Sequence, residues 1–503
     1  METKMIMNFI RCMMLVYLFV FITSSIVWSK IYYVDKNNPL ANNANSGTEA
    51  SPWLTIQHAV DMVNAGDAVY IRGGIYYERV MLTGSNGIEG KSGNEIDGYI
   101  TYAGYPGESI ILDGRSFNWG AAFVSGKYAI GSRVVNYIRI KDLTARNYQG
   151  YGRGISFENN QENPKNSIGS HHIIIENVTI CGNGNAGIWI EGGDESVRGD
   201  SHHIIVRNCH VYNNGNHGIK FDGDVPGVIN REHIHDSIIE DCVVYNNGLS
   251  SEGIGIHVST GHYDIIVRNN TVYNNKRQGI AAHEVRDSIY ENNDVYSNGQ
   301  GPEVQDEGIV IWTSYNMTIR GNIIHDNQGN GIEIWNDLQG KSTPTIENNI
   351  IYNNNKGGLS LSSEINNAKI YHNTIALNKG AGLYIHYSGF GHEIKNNIFY
   401  KNNTQISSTS NNNTFNYNLY YPDVSFNGKD DYFISTDPLF KDETNYNFQL
   451  ISDSPAIDFG LNVGVKKDAE GISRPQGRGF DIGAYEYYIA PLPPTLLKAI
   501  IIY

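Results

Sequence analysis

The chain is built on a five-residue phrase, Gly-Ile-x-Ile-x, that recurs through its middle. The copies begin at Gly154, Gly187, Gly218, Gly253, Gly279, Gly308, Gly331, Gly358 and Gly382. Intervals run from 23 residues (Gly308 to Gly331) to 35 (Gly218 to Gly253). A unit that short cannot bury its own apolar face and has to stack on its neighbours, so the period means a solenoid. The first aliphatic of each copy gives the column Ile155, Ile188, Ile219, Ile254, Ile280, Ile309, Ile332, Leu359 and Leu383. Such a column reads as a core stack, and strand alternation turns the intervening side chains outward.

A second strand segment recurs at 173–180, 204–211, 237–244, 265–272, 288–295, 317–324, 344–351, 368–375 and 392–399. Aligning the copies brings Asn270, Asn293, Asn322, Asn349, Asn373 and Asn397 into one column. A stacked Asn column is an amide ladder, each side chain donating to the next coil. Val178, Cys209 and Cys242 occupy the same column in earlier coils, which makes the two cysteines buried apolar stand-ins for Asn. Strands repeating in one direction at a short period predict a right-handed parallel β-helix, an all-β fold. Leucine-rich repeats are the rival architecture, but the Leu spacing they need is absent.

The flanks divide the chain further. Residues 1–29 read as a secretory signal peptide, with Lys4 and Arg11 ahead of the apolar run Met13 to Ile22. Residues 30–115 read as an N-terminal cap and first coils. There Ile56, Ala59, Val60 and Val63 share one helical face closed by Gly66, a capping helix over otherwise unpaired strand edges. The β-helix proper is assigned to 116–425, a C-terminal capping module to 426–487 and a proline-bearing tail to 488–503. No stretch after the signal approaches the ~20 apolar residues of a spanning helix, so no membrane span is expected. The protein is expected outside the cytoplasm, secreted or at the cell surface, as a monomer.

Composition narrows the partners. Lys+Arg 37 against Asp+Glu 52 gives a net charge of −15, which argues against nucleic acid. An acidic polymer would need its charge bridged, and a divalent cation is the natural bridge.

The outward columns concentrate chemistry. The first is expected to carry Ser156, Trp189, Lys220, Gly255, Ala281, Val310, Glu333, Ser360 and Tyr384. The second, two residues on, carries Glu158, Glu191, Asp222, His257, His283, Trp312, Trp335, Ser362 and His386. Column neighbours lie about 4.8 Å apart and the columns about 6.8 Å apart. His217, Glu252 and Glu307 precede the glycine, at a turn where alternation fails. Trp189, Trp312, Trp335 and Tyr384 are flat platforms of the kind sugar rings stack on, and His217, His283 and Glu333 join them as substrate-binding candidates. Glu158, Glu191 and Asp222 follow one another, and such a run of like charge suits Ca²⁺. Asp222 with His257 and His283 is the alternative, a transition-metal set. Lys220 becomes a base once its ammonium is destabilised, as a nearby cation would do. Otherwise it is a salt-bridging lysine. A mixed solvated sheet face is the plain alternative for the whole array.

These residues suggest a family. The mature chain resembles the pectate-lyase-like right-handed β-helix superfamily. Asn216-His217-Gly218-Ile219-Lys220-Phe221-Asp222-Gly223 looks like the Gly-Phe-Lys-Leu-Gly segment of family 9 polysaccharide lyases, whose lysine is the catalytic base. The resemblance implies β-elimination on a uronate-containing polysaccharide, with Lys220, Asp222 and His257 as catalytic candidates and calcium bridging substrate and carboxylates. The family's preceding coil carries an Asp-Asp-Gly-Phe-Asp calcium motif; here that coil reads Asn185-Ala186-Gly187-Ile188-Trp189, so Glu191 and Asp222 would have to replace it. Asp437-Pro438-Leu439-Phe440 and Arg474 to Glu486 resemble the closing module of exported bacterial β-helix proteins. Two other readings stand beside the lyase. One is a glycoside hydrolase using Glu191 with Asp222, or Glu307 with Glu333. The other is a non-catalytic glycan-binding or surface protein.

Overall fold

A computed structural model describes residues 29–488, apart from 86–89, 126–133, 159–168, 195–199, 224–231, 251–252, 302–305, 337–342, 409, 411 and 423–428. Residues 1–28 of the expected signal peptide 1–29, the residues from 489 and Glu252 therefore lie outside the described residues. The chain winds as a right-handed parallel β-helix. One face is a sheet of twelve strands among the described residues, running from Val80–Met81 to Thr404–Ser408.

From residue 204 onward the rest of the coil holds two short strands where the sequence pattern suggests one, whereas Ile173–Cys181 is one continuous strand. The segment 265–272 splits into Ile265–Arg268 and Thr271–Tyr273, with Asn269 between them at φ 55°. Asn and Asp tolerate that left-handed bend better than β-branched residues, and Asn208, Asp241, Asn292 and Asn348 make it in their own coils. The Asn column forms as expected. The Asn270 amide donates to Asn293 Oδ1 at 3.0 Å, and the link repeats through Asn322, Asn349, Asn373 and Asn397. Cys209 and Cys242 extend it as buried free thiols, with the Cys242 N–H donating to Asn270. A second ladder that the alignment does not isolate runs from Asn183 through Asn214, Asn247, Asn275, Asn298, Asn327, Asn354 and Asn378 to Asn402.

The glycines of the phrase are dictated by close approach. A Cβ on Gly218 would sit 2.6 Å from the Gly255 carbonyl oxygen and 2.4 Å from Val244 Cγ1. That contact also corrects the register. At Gly253-Ile254-Gly255-Ile256 the phrase overlaps itself, and the fold uses the second copy. Ile219 pairs with Ile256 and Lys220 with His257. Ile254 thus leaves the core column, Gly255 leaves the outward column, and His257 stands beside Lys220 instead of Asp222.

Both ends are covered. The helix Ile56–Met62 starts at Thr55, whose side chain accepts from the His58 N–H, and buries Ile56, Ala59 and Val60. It ends at Val63, short of the expected Gly66, which forms the left-handed turn beyond it. At the other end an antiparallel pair, Phe440–Asp442 with Asn447–Leu450, leads into a closing segment. Its Phe448, Ala456 and Ile482 pack against Ile350, Ile398 and Leu419 of the coils. Arg474 and Glu486 pair at 2.7 Å with both side chains fully buried. No helix among the described residues is long and apolar enough to cross a membrane.

Candidate functional site

Strand pairing sets the first outward column as Ser156, Trp189, Lys220, His257, Ala281, Val310, Glu333, Ser360 and Tyr384. In the second column Glu191 pairs with Asp222, and His283, Trp312 and Trp335 are successive. A register shift then pairs Trp335 with Ser363 in place of Ser362. Contacts reveal a third column, the residue before each glycine. Arg153, His217, Gln278, Glu307 and Asn330 all turn toward the outward face there.

Two groups of side chains result. In the first, Lys220 Nζ lies 2.8 Å from Asp222 Oδ1 and 4.4 Å from the Trp189 ring centroid. The Arg153 guanidinium lies 4.0 Å from the same ring and pairs with Glu158, whose Oε1 also accepts from Ser156 Oγ at 2.8 Å. Trp189 Nε1 donates to Glu191 at 3.1 Å, and Ser259 Oγ donates to Asp222 Oδ1 at 3.0 Å. The His217 and His257 rings lie 5.0 Å apart. Burial, reinforced by the Lys220 ammonium, holds both imidazoles well below their usual range, so both are neutral. His257 Nδ1 is buried with no hydrogen-bond partner among the described residues.

Among the described residues, the carboxylates of the acidic column do not come together as one ligand set. Glu158 is held by Arg153 and Glu191 by Trp189, each within its own coil, and Asp222 by Lys220 of its own coil and Ser259 of the next. Neither these carboxylates nor Asp222 with His257 and His283 converge. Among the described residues, the convergent potential ligands are His171, His172 and His202.

The second group lines a cavity of about 510 Å³ bounded by Gln278, Glu307, Trp312, Glu333, Trp335 and Lys356. A smaller hollow of about 290 Å³ shares Glu333 and Lys356 and continues to Tyr384. Glu307 is 6% exposed and accepts from Gln278 Nε2 at 3.4 Å. Burial, then the negative charge of Glu333, pushes its carboxyl up to about 7. Glu333 is oriented by Ser362 Oγ at 2.6 Å and Asn330 Nδ2 at 3.1 Å, while Lys356 pairs with Asp306 at 2.7 Å. Trp312 lies flat on His283 at 4.4 Å and meets Trp335 edge-on at 5.2 Å.

The expected residues therefore separate. Lys220, Asp222, His257, Trp189, His217, Glu158 and Glu191 join the first group. His283, Trp312, Glu333, Trp335 and Tyr384 join the second, with Glu307. Arg153, Ser259, Gln278, Asn330 and Lys356 were not anticipated. The signal for three of them was present, because the position before the glycine is polar in six of the nine copies (Arg153, His217, Glu252, Gln278, Glu307, Asn330).

Known proteins share this architecture. Residues 32–227 match the family model described as Pel9A-like, right handed beta helix region. Residues 166–363 match a right handed beta helix region, and 303–438 the periplasmic copper-binding protein (NosD) model. The chain is 25% identical over 480 residues to uncharacterized protein YwoF of Bacillus subtilis, covering 83% of this chain and 91% of that one. An 80-residue stretch, 16% of this chain and 18% of the relative, is 36% identical to pectate lyase PEL9 of Emericella nidulans. The crystal structure of pectate lyase Pel9A is similar with a TM-score of 0.50 at 15% identity, covering 93% of this chain and 98% of that one. At that identity the last likeness is one of fold.

Proposed function

We propose that this right-handed parallel β-helix of the pectate-lyase-like superfamily is an exported polysaccharide-degrading enzyme, cleaving a uronate-containing chain by β-elimination with Lys220 as base. The observation that carries the reading is the outward Lys220 Nζ, held against Trp189 and Asp222 with Arg153 on the same indole. Two cations on one aromatic platform suit an acidic sugar, on a chain whose net charge is −15. Once the Lys220 ammonium has released its proton to solvent, the free amine takes the proton from the carbon α to the uronate carboxylate. The released electron pair forms a carbon–carbon double bond, and the glycosidic C–O bond at the β carbon breaks with its electrons going to the departing oxygen. Arg153 offsets the charge that builds on the carboxylate as the proton leaves. His257, one strand from Lys220, stands beside it as a neutral imidazole. Glu158, Glu191 and Asp222 are engaged separately, so no step runs through calcium.

The test is a panel of acidic polysaccharides with wild type and Lys220→Ala, each with and without chelator. The expected product absorbs in the ultraviolet and is lost in Lys220→Ala. Undiminished ultraviolet product in that variant removes the assignment, and a loss on chelation restores calcium to the mechanism.

A second reading has its own observation. Glu307, pushed to about 7 beside Glu333 in a cavity walled by two tryptophans, pairs a protonated acid with a carboxylate. That pairing is what glycoside hydrolysis needs. New reducing ends without ultraviolet absorbance would favour it, and retention on glycan with neither product would mark a binding protein.

A further inference from the structure

The phrase Ser-His-His-Ile-Ile occurs twice, at 170–174 and 201–205, in successive coils. Stacking lays the two copies over one another. The His171 and His202 rings are parallel at 4.8 Å, and His172 and His203 at 4.6 Å. Within each copy the neighbouring rings face each other in a different way. His171 Nδ1 lies 3.0 Å from His172 Nδ1, and His202 Nδ1 lies 2.7 Å from His203 Nδ1.

We propose that His171, His172 and His202 form a site for a divalent transition ion of the imidazole-binding kind, Zn²⁺ being the probe of choice, that clips two successive coils together. Three features lead there. First, one nitrogen from each ring lies within 4.8 Å of the others, with all three side chains half-buried. A zinc–nitrogen bond of about 2.0–2.1 Å puts ligand nitrogens roughly 3.3 Å apart, so the His171–His172 contact is near that spacing and His202 has to close by at most about 1.5 Å. Second, two facing Nδ1 atoms hold one shared proton between them, and a metal ion that displaces it, each ring keeping its other proton on Nε2, meets both lone pairs in the same space. Third, stacking alone does not call for imidazole here. Elsewhere the coils stack Tyr212, Tyr245, Tyr273, Tyr296, His325 and Tyr352, a ladder of phenol rings with a single imidazole and no adjacent imidazole pair. The ladders through the histidines likewise end on tyrosine, Tyr137 over His172 and Tyr263 beyond His235. Behind His202, His235 stacks at 5.3 Å and is fixed by Asp200 and Asp236, a carboxylate-anchored support for that ring.

The test uses the untagged full chain, stripped with chelator and titrated with Zn²⁺ by calorimetry, with Co²⁺ as a spectroscopic probe of coordination. One saturable equivalent, a Tm that rises with Zn²⁺ and cobalt bands of low coordination number are expected. His202→Tyr keeps an aromatic rung but removes the donor nitrogen, and it should weaken binding at least tenfold, as should His171→Gln. Circular dichroism in chelator confirms that each variant folds. No saturable binding, or an equivalent retained at wild-type affinity in both variants, overturns the proposal.

Discussion

Lys220 and Glu307 stand on one sheet, three strands apart and so about 14 Å along the axis, yet their surroundings are opposite in kind. Around Lys220 opposite charges pair: Lys220 meets Asp222, and Arg153 meets Glu158. Around Glu307 like charges gather, Glu333 beside it and Asp306 next in sequence, with the Lys356 ammonium drawn to Asp306. The first arrangement presents cations to an arriving anion. The second holds a proton that an exposed carboxylate would lose. One scaffold thus offers two chemistries, because stacking fixes the spacing of outward side chains but not their identity.

The largest expected effect separates them. Lys220→Ala should reduce formation of unsaturated product about 10³-fold, within the range for removing a general base, while Glu307→Gln leaves that product within about threefold. The reverse pattern, measured by ultraviolet absorbance and by reducing ends, would exchange the roles of the two regions.

The next effect is on stability and belongs to Glu307 alone. Unfolded, its carboxyl titrates near the ordinary 4.5; folded, it is raised to about 7. Between those values the folded chain keeps a proton that the unfolded chain has released. The stabilisation is therefore complete below about 4.5 and is lost as pH rises through 7. The loss is about 3 kcal/mol at 1.36 kcal/mol per unit. Glu307→Gln should remove that slope, so its denaturant midpoint exceeds wild type at pH 8 and converges with it near pH 4.5. Parallel pH profiles for the two chains would show that Glu307 titrates normally.

A smaller effect distinguishes the aromatic platforms. Trp189→Ala should raise KM for the acidic polymer about tenfold, an aromatic contact with cations on it being worth about 1–2 kcal/mol. Trp312→Ala should leave that KM unchanged if only the first group binds the cleaved sugar. Equal losses from both would mean a chain lying across the whole face.

How much of this was legible beforehand depended on periodicity. The Gly-Ile phrase gave the solenoid and the Asn270 to Asn397 column gave the stacking, because each repeats one contact from coil to coil. Gly253 was misassigned because Gly253-Ile254-Gly255-Ile256 contains two overlapping copies that the pattern cannot rank. The next coil ranks them: a Cβ at Gly255 would meet the Gly279 carbonyl at 2.6 Å, whereas Gly253 is crowded by Gly248 of its own turn. Glu307 and Arg153 were less visible because the turn before the glycine breaks the strand alternation from which facing is read. The closing segment left its fold unread, since it follows no repeat.

That register supplies the finest test. With His257 beside Lys220, the place past Asp222 falls to Ser259, whose hydroxyl donates to Asp222 Oδ1 at 3.0 Å, the same oxygen that holds Lys220. Ser259→Ala removes one hydrogen bond to a charged group, worth about 1.5 kcal/mol or more, part of which reaches Lys220 through a shifted Asp222. Elimination by this variant should fall about threefold to tenfold in kcat with KM held. Ser362→Ala makes the equivalent change at Glu333, where Ser362 Oγ donates at 2.6 Å, and should leave elimination untouched. A response to Ser362 that matched the response to Ser259 would mean that the two groups act as one site, and the contrast between them would be lost.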